Sequence, residues 1–286
     1  ADHIYRMDAR QMLAQHIETG AALTVAAIGV PAAEARAFGI VEPGAGTRVD
    51  RFIEKPVDPM GLAAGREQLF ASMGNYVFTA EALMSALRQD AEDANSRHDV
   101  GGNIVPRFVE AGEAHFYDFS SNQVPGSTDL DRGYWRDVGT LDAYYEASMD
   151  LVAVRPVFNL YNRDWPIFTN PPQLPPAKFV FEEGARAGAA WNSIVSAGCI
   201  ISGGTVRRSV ISPGVVVEQG ALVEDSVVMD NVRIGEGAVV KRAIVDKNVI
   251  VAPGAHVGTD PELDANHFTT SPRGIVVIGK GEKVVG

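Results

Sequence analysis

The sequence predicts an α/β domain followed by a parallel β-helix, and three observations carry that fold class. Strand-like and helix-like segments alternate from the start to about residue 152, as a helix-covered sheet requires. From Arg155-Pro156 to Ala177 the composition turns to Pro, Asn and aromatics, with Tyr161, Trp165-Pro166, Pro171-Pro172 and Pro175-Pro176. That is the mark of a linker packed down by its rings. Beyond about Ile194 the helix signals vanish and aliphatics recur every six residues, the beat of hexapeptide coils. The boundaries expected are 1–155 for the α/β domain, 156–193 for the linker and 194–286 for the β-helix.

Each early element has a local reason. Asp8 can cap a helix running to about Ile17, which Gly20 stops. The nearly continuous apolar run from Ala21 to Ile28 suits a strand covered on both faces. Phe38–Val41 and Val49–Glu54 flank Pro43-Gly44-Ala45-Gly46, a strand–turn–strand pattern. Pro56 to Gly65 reads as a loop, and Ser72–Phe78 as a strand. Thr79 and Glu81 open a helix to about Asp90. A helix over Ile104–Ala111 and a strand at His115–Phe119 follow, and Thr140 caps a helix from Leu141 to about Val152.

In the C-terminal region Ile200 and Val206 are six apart, as are Val210, Val216 and Leu222. So are Val228, Ile234 and Val240, and then Ile244 and Ile250. Turn residues lie between them, Pro213-Gly214, Gln219-Gly220, Gly235, Gly237 and Pro253-Gly254. A β-sandwich of short strands is the alternative, but its strands alternate with period two and irregular spacing. Cys199 falls within the beat and reads as a small core residue.

Bulk properties narrow the chemistry. The 286 residues carry a formal charge of −11, which argues against nonspecific nucleic-acid binding. One cysteine excludes an intrachain disulfide and suits a reducing cytoplasm. No apolar run of membrane-spanning length and no signal pattern is present. The chain is expected to be cytoplasmic, with neither nucleic acid nor membrane as partner.

Two carboxylates suggest hard-metal chemistry. Asp2, in Ala1-Asp2-His3-Ile4-Tyr5, reads as a strand-end acid, and Asp137 precedes the Thr140-capped helix. Two aspartates from separate strand ends could hold Mg2+ between phosphate groups, although the residues alone favour Asp137 as a structural partner of Arg136 or of its helix N-terminus. Glu54-Lys55-Pro56 ends another strand. Pro56 is expected to hold Lys55 extended, aiming its ammonium outward at a phosphate while Glu54 meets sugar hydroxyls; a solvated loop pair is the plainer reading. Gly39 and Ser72 lie at equivalent strand edges, Gly39 allowing close backbone approach. His98-Asp99 reads as a loop-ordering pair and His3 as support for its strand end. His256 and His267 raise hexapeptide acyl transfer as a minor alternative.

These stretches together resemble a known family. Ala1–Tyr5, Phe38-Gly39, Phe52–Pro56, Ser72–Phe78 and Tyr134–Thr140 are similar to bacterial glucose-1-phosphate adenylyltransferases (ADP-glucose pyrophosphorylases), most of all actinobacterial ones. The likeness continues through Asn162–Ile167, Pro175–Val180 and the hexads, and so covers essentially the whole chain. It implies a Rossmann-like nucleotidyltransferase with a mixed sheet, then a left-handed parallel β-helix. It also implies formation of ADP-glucose and pyrophosphate from ATP and α-D-glucose 1-phosphate, with Mg2+, in glycogen biosynthesis.

Carried over by motif, Asp2 and Asp137 match metal-binding aspartates and Lys55 the lysine on the sugar phosphate. Gly39, Glu54 and Ser72 match the sugar pocket. Lys247 and Lys280 fall where relatives use basic residues for anionic allosteric effectors, and a homotetramer is implied. The family's glycine-rich nucleotide loop belongs upstream of Asp2, so the chain is expected to be N-terminally incomplete and without ATP-dependent turnover by itself. A mannose-1-phosphate guanylyltransferase and a noncatalytic regulatory paralogue are the competing readings.

Overall fold

The computed structural model describes residues 3–63, 66–181 and 187–285. Asp2, the first metal-ligand candidate, lies outside the described residues. The chain forms two compact units, one of Tyr5–Trp135 and one of Ala1–Ile4 with Arg136–Gly286.

In chain order the first elements are β1 (His3–Tyr5), α1 (Ala9–Thr19), β2 (Leu23–Pro31), β3 (Gly39–Pro43) and β4 (Val49–Glu54). Then come α2 (Pro59–Ala63), β5 (Gln68–Phe78), α3 (Ala80–Glu92), α4 (Val105–Glu110), β6 (Ala114–Asp118), β7 (Trp135–Asp137) and α5 (Leu141–Asp150). β1 and β7 pair with each other. The remaining five strands of this part make a mixed sheet in the order β4-β3-β5-β2-β6. Only β2 and β6 run parallel; the other pairs are antiparallel.

The apolar run behind β2 takes its expected place near the centre, with Leu23, Val25, Ala26 and Ala27 fully buried. Alternation sends Val25 and Ala27 toward Ala86 of α3 and Val105 and Phe108 of α4. Ala26 faces the other way, toward Met12 of α1, Met73, Tyr117 and Phe119. Local signals set α1: the Asp8 carboxylate accepts from Arg10 N (3.0 Å), and Gly20 at φ 62° ends the helix left-handed. Within the stretch read as a loop, Pro59 starts the short helix α2, a position where its missing N–H costs nothing.

The C-terminal unit is a parallel β-helix of three stacked sheets. Two of them begin within the stretch read as linker, at Lys178–Val180 beside Ile200–Ser202 and at Ala189–Trp191 beside Thr205–Arg207. Each coil takes 17 residues where the buried serines stack, Ser226 N donating to Ser209 Oγ and Ala243 N to Ser226 Oγ. The inward side chains are Ile201, Val206, Ile211, Val217, Val223, Val228, Ile234, Val240, Val245, Val251 and Val257, all fully or almost fully buried. One side of each of these coils is thus a residue shorter than a hexad, and the coil before them, from Ile201 to Val217, takes 16 residues. The six-residue beat therefore had the right period with a mixed phase. Val206, Val228, Ile234 and Val240 point inward, whereas Ile200 and Ile250 lie on the outside at 40% and 44% exposure. Cys199 is core, as expected.

One outer sheet face, with Val210, Val227, Ile244 and Ile275, is covered by Tyr144, Tyr145 and Met149 of α5. After His256–Val257 the stack carries an insertion containing a helix at Pro261–His267 and the strand Thr269–Thr270. The stack then resumes with Val276–Ile278 beside Ala243–Val245.

Candidate active site

Strand pairing assembles the first part of the site. Gly39 lies directly opposite Glu54 across the β3–β4 ladder. A β-carbon on Gly39 would stand 2.4 Å from the Phe52 ring and 2.8 Å from Glu54 Oε2. A β-carbon on Gly101 would also stand 2.8 Å from Glu54 Oε2. The carboxylate thus occupies space that two glycines leave open.

Lys55 departs from the sequence expectation. It is not extended but left-handed at φ 46°. Its N–H is spent on Phe38 O (3.1 Å), closing the ladder, and the chain must turn away immediately afterwards. One left-handed residue makes that turn, at a cost that functional sites often carry. The side chain is exposed, and its Nζ lies 3.6 Å from Glu54 Oε1. An ammonium held beside a carboxylate at an open edge suits a phosphorylated sugar, the cation meeting phosphate and the acid accepting from hydroxyls.

Ser72 owes its position to a break in pairing. Val25 pairs with Tyr76 and Ala27 with Ser72, so β5 bulges outward at Met73-Gly74-Asn75. Gly74 sits at φ 73° and donates to Ser72 Oγ at 3.2 Å. Bulges of this kind re-aim side chains beside active sites. Here the Ser72 hydroxyl comes 3.4 Å from the Tyr76 hydroxyl. Burial pushes the Tyr76 phenol up from its usual range; Ser72 opposes this, and the nearby Glu54 and Asp99 carboxylates add to it. Tyr76 is therefore a neutral donor at physiological pH.

Asp99 caps a π-helical turn, Val100–Ile104, by accepting from Gly102 N at 2.6 Å. Such turns cluster at functional sites. His98 turns to Asp90, Nδ1 to Oδ2 at 2.8 Å, and the Ser96 and His98 hydrogen bonds hold that buried carboxyl below its usual range. His98 thus ties its loop to Asp90, not to the neighbouring Asp99.

Asp137 lies in the other unit. Its Oδ1 is buried and accepts no hydrogen bond among the described residues, and His3 Nε2 stands 3.4 Å away. A buried carboxylate oxygen left open next to a strand support is what a divalent-cation ligand requires. Among the described residues no three acidic, His or Cys side chains cluster as a metal cage.

Lys247 and Lys280 occupy one corner of adjacent coils. Asn248 N donates to Asp230 O and Gly281 N to Lys247 O, both at 2.9 Å, so Asp230, Lys247 and Lys280 follow one another up the stack. Lys247 Nζ is 3.7 Å from Asp230 Oδ2. His256 is exposed on a strand, and His267 Nδ1 bonds Leu263 O at 2.8 Å within its own helix.

Sequence reasoning passed over Tyr76 and Gly101. A glycine inside a strand pattern, Gly74, was the signal for the bulge that brings Tyr76 to Ser72. For Gly101 the signal was only the pair Gly101-Gly102 after Asp99.

Two family models match along the chain. Residues 1–153 match the family model for nucleotidyl transferases, and residues 175–278 the model for the GlmU-like C-terminal hexapeptide region. The glucose-1-phosphate adenylyltransferase of Streptomyces coelicolor is 62% identical over 99% of this chain and 70% of that protein. That of Parafrankia sp. is 59% identical over 98% of this chain and 69% of its own length. That of Corynebacterium kroppenstedtii is 61% identical over 100% of this chain and 69% of its own length. The chain belongs to the glucose-1-phosphate adenylyltransferase family.

Proposed function

We propose that this protein makes ADP-glucose and pyrophosphate from ATP and α-D-glucose 1-phosphate, for glycogen or related α-glucan synthesis. The observation that carries this is the likeness of about 60% to proteins bearing that name along the length of the chain. The side chains at the candidate positions suit the reaction. A phosphate oxygen of the sugar phosphate attacks the α-phosphorus of ATP in line, and pyrophosphate leaves.

In such a transfer the protein mostly positions and neutralises. Lys55 binds the phosphate of glucose 1-phosphate and lowers repulsion between the two anionic substrates. Glu54 accepts from sugar hydroxyls, Ser72 and Tyr76 supply hydroxyl donors, and Gly39 and Gly101 leave the space that the carboxylate and sugar need. Asp137, with Asp2, would hold Mg2+, which when bound neutralises charge on the phosphate oxygens as pyrophosphate departs. His3 keeps the Asp137 carboxylate in place.

The stacked Lys247 and Lys280 suit an anionic effector, and we take the assembly to be a homotetramer in the cytoplasm. No described helix is long and apolar enough to cross a membrane. The test is pyrophosphate release by the intact protein across a panel of nucleoside triphosphates and hexose 1-phosphates. The expected outcome is selective turnover of ATP with glucose 1-phosphate. Preference for GTP with mannose 1-phosphate, or no turnover with any pair, sinks the proposal.

A further inference from the structure

Only Val138-Gly139 separates Asp137 from Thr140, the cap of α5. The cap is locked to the helix: Thr140 Oγ1 accepts from Ala143 N at 3.1 Å and Thr140 O from Tyr144 N at 2.9 Å. Asp137 thus ends β7, which is paired with β1, three residues before the cap that starts α5.

The helix in turn is fastened to the β-helix along its length. In its first turn the Asp142 carboxylate accepts from the Ser271 hydroxyl. Ser271 is almost fully buried, and its oxygen also accepts from Ile275 N at 3.1 Å, so the hydroxyl has no freedom to turn elsewhere. One turn further, Glu146 pairs with Arg273. The Tyr145 hydroxyl donates to Asp225 O at 2.6 Å, and the rings of Tyr144 and Tyr145 pack with Met149 against Val227, Ile244 and Ile275. The Glu146–Arg273 pair is exposed and so contributes little. The buried Ser271 and the half-buried Tyr145 supply the contacts that hold the helix.

We propose that Ser271 and Tyr145 are positioning residues for the Asp137 carboxylate, acting through α5. Metal ligation tolerates displacements of only about 0.5 Å, whereas a helix slipped by one residue moves about 1.5 Å. A β-helix that pins α5 at two polar points therefore sets the metal site from outside the nucleotidyltransferase sheet. This inference rests on the reading of Asp137 as a metal ligand.

The experiment is Mn2+ titration of the intact protein without substrates, followed by electron spin resonance of the free ion. The double variant Ser271→Ala/Tyr145→Phe is expected to weaken Mn2+ binding on the order of tenfold, the lower end of what outer partners of a metal site contribute. The KM for glucose 1-phosphate should stay unchanged, and Ser271→Thr, which keeps the hydroxyl, should bind Mn2+ as the parent does. Parent-like Mn2+ affinity in the folded double variant overturns the proposal.

Asp137→Asn separates the two ideas. If it binds Mn2+ undiminished, the metal reading falls, and the positioning proposal with it. If it loses Mn2+ while the double variant does not, only the positioning proposal falls. Should the double variant not fold, Asp142→Asn and Asp142→Ala replace it. Asn keeps an acceptor for Ser271 and should bind Mn2+ more tightly than Ala; equal affinities overturn the proposal.

Discussion

The Phe52 ring stands 2.4 Å from where a β-carbon on Gly39 would be, close enough that any side chain there must move a half-buried ring packed against the sheet's core. Glu54 pairs with Gly39 and would be displaced with it. Gly39→Ala is therefore expected to raise the KM for glucose 1-phosphate on the order of tenfold or more, since small misplacements of positioning groups are costly. Initial-rate kinetics with each substrate varied in turn check this. A KM raised only for ATP would contradict it.

Lys55 combines a phosphate-binding charge with an unfavourable backbone. Lys55→Ala should raise the KM for glucose 1-phosphate on the order of a hundredfold, the value of a charge-assisted contact, and far more than that for ATP. Lys55→Gly should show the same kinetic loss yet be about 1 kcal/mol more stable than Lys55→Ala, because only glycine relaxes at φ 46°. Thermal unfolding of the two variants compares them directly.

Two histidines, His16 buried and His115 half-buried, predict acid sensitivity. His16 lies between the hydroxyls of Thr24 (2.8 Å) and Thr79 (3.4 Å), and burial lowers its pKa below the ordinary 6.5. His115 is lowered by burial first, then by Arg48 and His16. Both groups protonate more readily when unfolded, so their contribution is complete above about pH 6.5 and is lost as the pH falls below it. Urea midpoints should drop between pH 7.5 and 5.5, and His16→Gln should flatten that slope. An unchanged slope in the variant would remove His16 as a cause.

The β-helix predicts opposite outcomes for two isoleucines that share one strand pairing. Ile234 is fully buried, while Ile250 is 44% exposed. Ile234→Ala should cost about 3 kcal/mol, the usual penalty for a cavity in a packed core, and Ile250→Ala less than about 1 kcal/mol. Chemical denaturation resolves the difference.

The parts of the fold that were legible in the sequence are those decided within one turn or one strand. Asp8 and Gly20 bracket α1, Thr140 caps α5, and the Ala21–Ile28 run gives the covered strand. What escaped depends on distant partners. The β5 bulge exists only because Val25 and Ala27 pair with Tyr76 and Ser72, and nothing local to Met73-Gly74-Asn75 records that. Lys55 was expected to be extended because of Pro56, but the ladder bond to Phe38 and the turn that follows override the local preference. Likewise, α5 carries no sequence sign that its apolar side, with Tyr144, Tyr145 and Met149, is reserved for the β-helix. In the candidate site, Gly39, Glu54, Lys55 and Ser72 could be proposed from sequence, while the closeness of Ser72 to Tyr76 and of Glu54 to Gly101 required the fold.

Alternation within each short strand behaves like a reading frame, while the turns between strands absorb a residue more or less: Ile200 pairs with Val216, 16 residues on, and Val216 with Arg233, 17 residues on. A residue added inside a strand such as Val239–Lys241 would turn the inward Val240 toward solvent. The widest change of length falls between His256–Val257 and Val276–Ile278, where the chain leaves the stack and returns. Length can change at that point without disturbing the coils on either side. The same excursion ends in Ser271, so the part of the domain most open to insertion and deletion is also the part that grips α5.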